Sequence, residues 1–214
     1  MTMIMTKEEQ YGQLILTNIF GSVWLGDWDH YEEIFKEMDE GLKGSFPFHS
    51  EYVREMVKLW YENHFLIPGD YFISPYFSSY TSKNNIGAEE GKRDLLCLIG
   101  MYEKLGFYFP LHQDLYPDHI GCLTTFLAAV MQEKLKADEE DDRELLYLLS
   151  ELEDEIVLKY ILPIGENIYE KEMNRIQHPF FKQFLSYYMD AMREQYFQRP
   201  QNNNEIEKEY IRHE

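Results

Sequence analysis

Residues 114–131, Asp-Leu-Tyr-Pro-Asp-His-Ile-Gly-Cys-Leu-Thr-Thr-Phe-Leu-Ala-Ala-Val-Met, set an Asp-His pair against a long apolar run. A carboxylate beside an imidazole is what a general base with its orienting partner would use, or part of a metal site, or a helix start. A nucleophile-base pair needs a third residue, and the sequence does not reveal one. Gly-x-Ser-x-Gly, the P-loop, Gly-x-Gly-x-x-Gly, His-Glu-x-x-His and Cys-x-x-Cys are all absent. His30, His49, His64, His112, His119, His178 and His213 are scattered, and no two stand four apart as a metal site on one helix would require. Metal binding and catalysis are therefore not predicted. Pro117 cannot extend a helix backwards, and Asp118 just before a periodic apolar run is a favoured N-cap, worth about 1 kcal/mol. His119 would then fall in the first turn, where the helix dipole disfavours added positive charge. A neutral imidazole open to hydrogen bonding is the expectation there.

Helical periodicity dominates the elements around this pair. Ile120, Leu123, Leu127, Val130 and Met131 share one face, with Ala128 and Ala129 allowing a close neighbour. Leu95, Leu98, Ile99, Tyr102 and Leu105 do the same upstream, with Gly106 as a stop. The pattern recurs through Leu145, Leu149, Leu152 and Ile156, and again through Phe181, Phe184, Leu185, Tyr188 and Met192. The segments beginning at Lys7, Asp29 and Ser50 also read as helices, with Gly-Ser-Phe-Pro-Phe-His breaking the last two apart. Residues 66–87 are the exception. Pro, Gly, Ser and Asn crowd around aromatics spaced too closely for a helix, which predicts a long ordered loop packed onto something. The acidic run 136–144 reads as a solvated connection, and residues 199–214 as a polar, frayed tail following one domain over 1–198.

Composition narrows the partners. Lys and Arg total 20 against 39 Asp and Glu, a formal charge of −19 that repels phosphate backbones and anionic headgroups. The same field would attract a basic segment, although acidity also serves plain solubility. Cys97 and Cys122 each sit in an apolar run and read as small buried hydrophobes, with no disulfide implied. No basic-then-apolar N-terminus and no span of about 18 apolar residues is present, so a cytoplasmic location is expected.

Three motifs together resemble the TorD/DmsD family of redox-enzyme maturation chaperones. They are Pro-Asp-His-Ile-Gly at 117–121, Ser-Pro-Tyr-x-Ser-x-Tyr at 74–80, and His-Pro-Phe-Phe at 178–181 opening the last long helix. The order and spacing agree from about residue 50 to that helix. The resemblance implies an all-α, single-domain helical bundle with one long aromatic-rich loop. It implies a cytoplasmic chaperone, not an enzyme and with no cofactor of its own, that binds the twin-arginine leader peptide of a molybdenum oxidoreductase precursor and holds it back until the cofactor is inserted. It places peptide-binding residues at Tyr61 and Phe65, at Pro75, Tyr76, Ser78 and Tyr80, and at Pro117, Asp118 and His119. His64 stands where the family usually has Leu, Leu115 where Glu often precedes the Asp-His pair, and Leu123 and Thr125 where many members have glutamates. Ile164 replaces part of a common Pro-Trp pair. These departures bear on which reductase is served.

The residues fit such a partner, since adjacent guanidinium groups followed by an apolar stretch call for carboxylates beside an aromatic groove. Core packing is the alternative role for the aromatics, and for Phe65 it has equal weight. Two other functions remain open: an assembly factor for a reductase subunit that is not exported, and a small hydrolase or nucleotide-handling enzyme using Asp118 and His119.

Overall fold

Buried hydrophobic side chains from the first helix to the last form one continuous cluster in the computed structural model. The structure describes residues 6–81, 85–108 and 115–197, with only the backbone described at 81 and 85–90. The tail at 199–214, part of the loop expected at 66–87, His112 and His213 lie outside the described residues. Among those described the architecture is all-α, and the only extended pairing is the antiparallel bridge between Tyr76 and His119.

The chain runs through α1 (Lys7–Leu25), α2 (Trp28–Glu37), α3 (Glu40–Lys43), α4 (Arg54–Tyr61), α5 (Ser78–Thr81), α6 (Asn85–Lys104), α7 (Ile120–Glu139), α8 (Arg143–Glu155), α9 (Leu162–Asn167) and α10 (Pro179–Phe197). Local chemistry sets the starts. Thr6 and Glu9 form a capping box on α1, while Asp27, Asp39 and Asp142 each accept a first-turn N–H of α2, α3 and α8. The segment expected as one helix from Asp29 therefore breaks at Met38, because Asp39 caps a new turn.

α1 and α7 form the central pair. Their backbones approach so closely at Gly121 that a Cβ there would lie 2.7 Å from Leu25 Cδ2 and 3.0 Å from the Trp24 carbonyl carbon. Trp24 meets Phe65, Phe184 and Tyr188 edge-on at 5.4–5.6 Å, which ties α1 to α4's extension and to α10. π-helical turns extend the helices at Glu62–Leu66, Ile156–Ile161 and Ile168–Glu172.

Several expectations are corrected here. The irregular segment is shorter than 66–87: Leu66 still belongs to a π-turn, Ser78–Thr81 forms α5, and α6 begins at Asn85. The acidic connection contracts as well, since α7 runs to Glu139 and the turn is made at Asp141, whose φ is +56°. Cys122 is buried but Cys97 is exposed, because the helical phase of α6 turns it away while Leu98 points inward. Leu145 likewise faces solvent instead of sharing the buried face of Leu149.

Candidate functional site

The segments 74–80 and 116–121 come together as the sequence motifs suggested, and backbone hydrogen bonds join them. Phe77 N–H donates to the Asp118 carbonyl at 3.1 Å, and Ile120 N–H donates to the Pro75 carbonyl at 2.9 Å. Ser78 N–H donates to Asp118 Oδ2 at 2.9 Å. This last contact corrects the capping assignment. Asp118 stands one residue before the cap, and its carboxylate is taken by the loop.

His119 is the N-cap of α7, accepting the Gly121 N–H on Nδ1 at 3.0 Å. The same device opens α10, where His178 Nδ1 accepts the Phe180 N–H at 3.3 Å. An Nδ1 that accepts leaves the proton on Nε2, so His119 is the Nε2–H tautomer. That N–H is fully buried and has no hydrogen-bond partner among the described residues. Burial pushes the His119 pKa down to about 3, so the ring is neutral as expected, but as the cap and through burial instead of through the dipole of a first turn. Asp118 and His119 therefore point to different backbone donors and do not form a dyad.

The loop positions itself largely by its own bonds. Tyr80 Oη donates to the Ser74 carbonyl at 2.6 Å, and Ser74 and Ser79 hydroxyls lie 2.6 Å apart. The Tyr76 ring packs edge-on against His119 at 5.0 Å and against Tyr116 at 6.1 Å. Burial, with Cys122, Asp118 and Tyr116 nearby, raises the Tyr76 pKa, so its hydroxyl stays protonated. Pro117 is held from α6, where Tyr102 Oη donates to its carbonyl at 2.7 Å.

Tyr61 and Phe65 belong to the hydrophobic core and are not exposed for contact. Both are buried; Tyr61 Oη donates to the Trp24 carbonyl at 3.0 Å and its ring fills the space that a side chain at Gly26 would need. Two residues here were not anticipated. Tyr116 is 66% exposed beside Asp118, and Tyr102 orients the turn from α6. Tyr116 could have been found, since it directly precedes the Pro-Asp-His motif; nothing local marks Tyr102.

The exposed Tyr116 and the half-buried Tyr76 stand beside a carboxylate that is itself buried, Asp118 being only 5% accessible; it accepts the Ser78 N–H and has further acceptor capacity. A separate cavity of about 110 Å³ lies between α1, α7 and α8, lined by Gln10, Gln13, Lys134 and Glu153 among others. There Glu153 is buried and bonded to Lys134 and to Tyr196 Oη. Among the described residues no group of three or more His, Cys, Asp or Glu side chains is placed to hold a metal ion.

The family model described as nitrate reductase delta subunit matches residues 30–164, more than half of the chain. The chain belongs to this family. The membership agrees with the resemblance to the TorD/DmsD redox-enzyme maturation chaperones, and it supports a chaperone for molybdoenzyme maturation over a catalyst. The matched residues include both segments of the site and stop before His178–Phe181. No curated protein and no solved structure matches the chain.

Proposed function

We propose that the chain is a cytoplasmic chaperone that binds the twin-arginine leader of a molybdenum oxidoreductase precursor and holds it until the cofactor is inserted. We place the binding site at Pro75, Tyr76, Ser78, Tyr80, Pro117, Asp118 and His119, of which Pro75, Asp118 and His119 are buried, with Tyr116 added and with Tyr61 and Phe65 contributing as core residues. The observation that carries this reading is Asp118, anchored by Ser78 N–H and flanked by Tyr76 and Tyr116. A guanidinium group would pair with the carboxylate and lie over an aromatic face, and the apolar part of the leader would follow the tyrosines. Among the described residues no helix is long and apolar enough to cross a membrane.

Calorimetric titration with a client leader peptide tests the reading. Affinity should fall with added salt yet persist, because the apolar contact is not screened. Replacing both arginines of the leader by glutamine with no change in affinity would remove charge recognition from the account.

The family description names a nitrate reductase subunit, and a second reading is that the client is a reductase subunit that is not exported. In that case a client N-terminal segment lacking twin arginines would bind as tightly as one that carries them.

A further inference from the structure

α8 buries Leu149 and Glu153 toward its neighbours, and its opposite side is unusual for a solvent face. Glu144, Leu148, Glu151 and Glu155 recur at spacings of four, three and four, so they lie along one line of the helix, flanked by Leu145 and Tyr147. All six are exposed; Leu148 is 57% and Tyr147 50% accessible, and Leu158 is exposed one turn beyond. Singly exposed apolar side chains are ordinary, but Tyr147 and Leu148 lie on either side of this line of glutamates and within about 60° of it, whereas Leu145 is turned further round toward Leu149.

The charges along the line belong to the same face. Glu144 and Glu151 have no ion-pair partner among the described residues, and Glu155 has only Lys159 at 4.0 Å, which itself sits 2.9 Å from Asp94. Glu151 and Glu155 stand four apart, a like-charge spacing that costs a helix a few tenths of a kcal/mol. Arg143, the one cation in α8, is turned to Asp138 and Asp141 at its start. The face therefore exposes apolar area and uncompensated negative charge together, and a partner bringing apolar groups and cations would relieve both. A second copy of this chain would set carboxylates against carboxylates, and nucleic acid or an anionic membrane would be repelled.

We propose that the solvent face of α8 docks a basic amphipathic helix of a partner polypeptide. Its apolar positions would cover Tyr147 and Leu148, and its Lys or Arg side chains would meet Glu144, Glu151 and Glu155. The straight line of contacts, at helical spacing, suits a helix better than an extended strand. This surface shares no residue with the leader-binding face, and the inference does not rest on that reading.

The probe is a fluorescein-labelled Leu/Lys peptide of about 18 residues with Leu on one helical face, titrated by anisotropy against the full chain at physiological salt. Glu151→Gln with Glu155→Gln, and separately Tyr147→Ser with Leu148→Ser, should each weaken binding at least about tenfold. Leu59→Ser, an equally exposed change on α4, should leave it unaltered. Circular dichroism of each variant verifies the fold. Equal binding by wild type and both α8 double variants would overturn the proposal. So would equal binding of a peptide with the same composition and its Leu residues scattered, because charge alone would then suffice.

Discussion

The Asp118 carboxylate accepts the Ser78 N–H at 2.9 Å across a separation of forty residues. One side chain thus fixes the loop before α5 to the turn before α7, while its neighbour His119 caps that helix. Asp118→Ala would strand the Ser78 donor and should cost about 1–3 kcal/mol of stability, whereas Asp118→Asn keeps an acceptor oxygen and should cost less than about 1 kcal/mol. Urea unfolding of the two variants measures the difference; identical losses would mean that the contact contributes nothing.

Gly121 is required by space. Gly121→Ala would drive a Cβ into Leu25 and the Trp24 backbone, and should destabilise by about 1–3 kcal/mol. Gly12 is exposed on α1, and a Cβ there would meet nothing within 4 Å, so Gly12→Ala should behave oppositely and gain about 0.5–1 kcal/mol. Thermal or urea unfolding should show opposite signs for the two substitutions, and matching signs would contradict the packing account.

Two buried histidines give the fold a dependence on acid. His119 is held down to about 3 by burial. His64 is also lowered, by burial first, against the opposing effect of its bond to the Tyr71 carbonyl, with His178 and Arg175 adding to the lowering. An unfolded histidine takes up its proton near 6.5, while the native His119 does not until far lower pH. The stability from these neutral rings is full above the unfolded histidine range and is lost as pH falls through it toward the native values. Each ring contributes a slope of up to about 1.4 kcal/mol per pH unit. His119→Asn preserves a capping acceptor and removes the titration, so its unfolding free energy should fall less steeply than wild type between about pH 7 and pH 5. Parallel slopes would contradict the buried neutral assignment.

The helices were legible because their apolar periods survive in the sequence: Ile120, Leu123, Leu127, Val130 and Met131 are all buried on α7, as are Phe181, Phe184, Leu185, Tyr188 and Met192 on α10. What escaped depends on contacts distant in sequence. Asp118 is a good cap by residue type, but Ser78 N–H claims its carboxylate and the cap passes to His119. The π-turn at Glu62–Leu66 leaves no mark in an otherwise helical pattern, and Cys97 is apolar by neighbourhood yet exposed by phase. The two segments of the candidate site were legible as motifs, and the structure brings them together. That Tyr61 and Phe65 lie in the core could not be read from them, since both aromatic roles require the same residue types.

Tyr116 and Tyr61 should separate contact from architecture. Tyr116→Ala removes an exposed ring and should change stability by less than about 0.5 kcal/mol while weakening leader binding. Tyr61→Ala empties a core position and breaks the bond to the Trp24 carbonyl, costing about 3–5 kcal/mol. Melting temperatures and peptide affinities of both variants check this, and unchanged leader affinity in Tyr116→Ala would take Tyr116 out of the binding face.

The most direct test of the leader-binding claim is a calorimetric titration of a twin-arginine leader peptide into wild type and Asp118→Asn at neutral pH. Loss of a charge-assisted hydrogen bond to arginine should weaken binding by roughly 1.5–3 kcal/mol, about ten- to a hundredfold, while the folded state is nearly unaffected. Equal affinity of the two proteins for the leader would contradict the account.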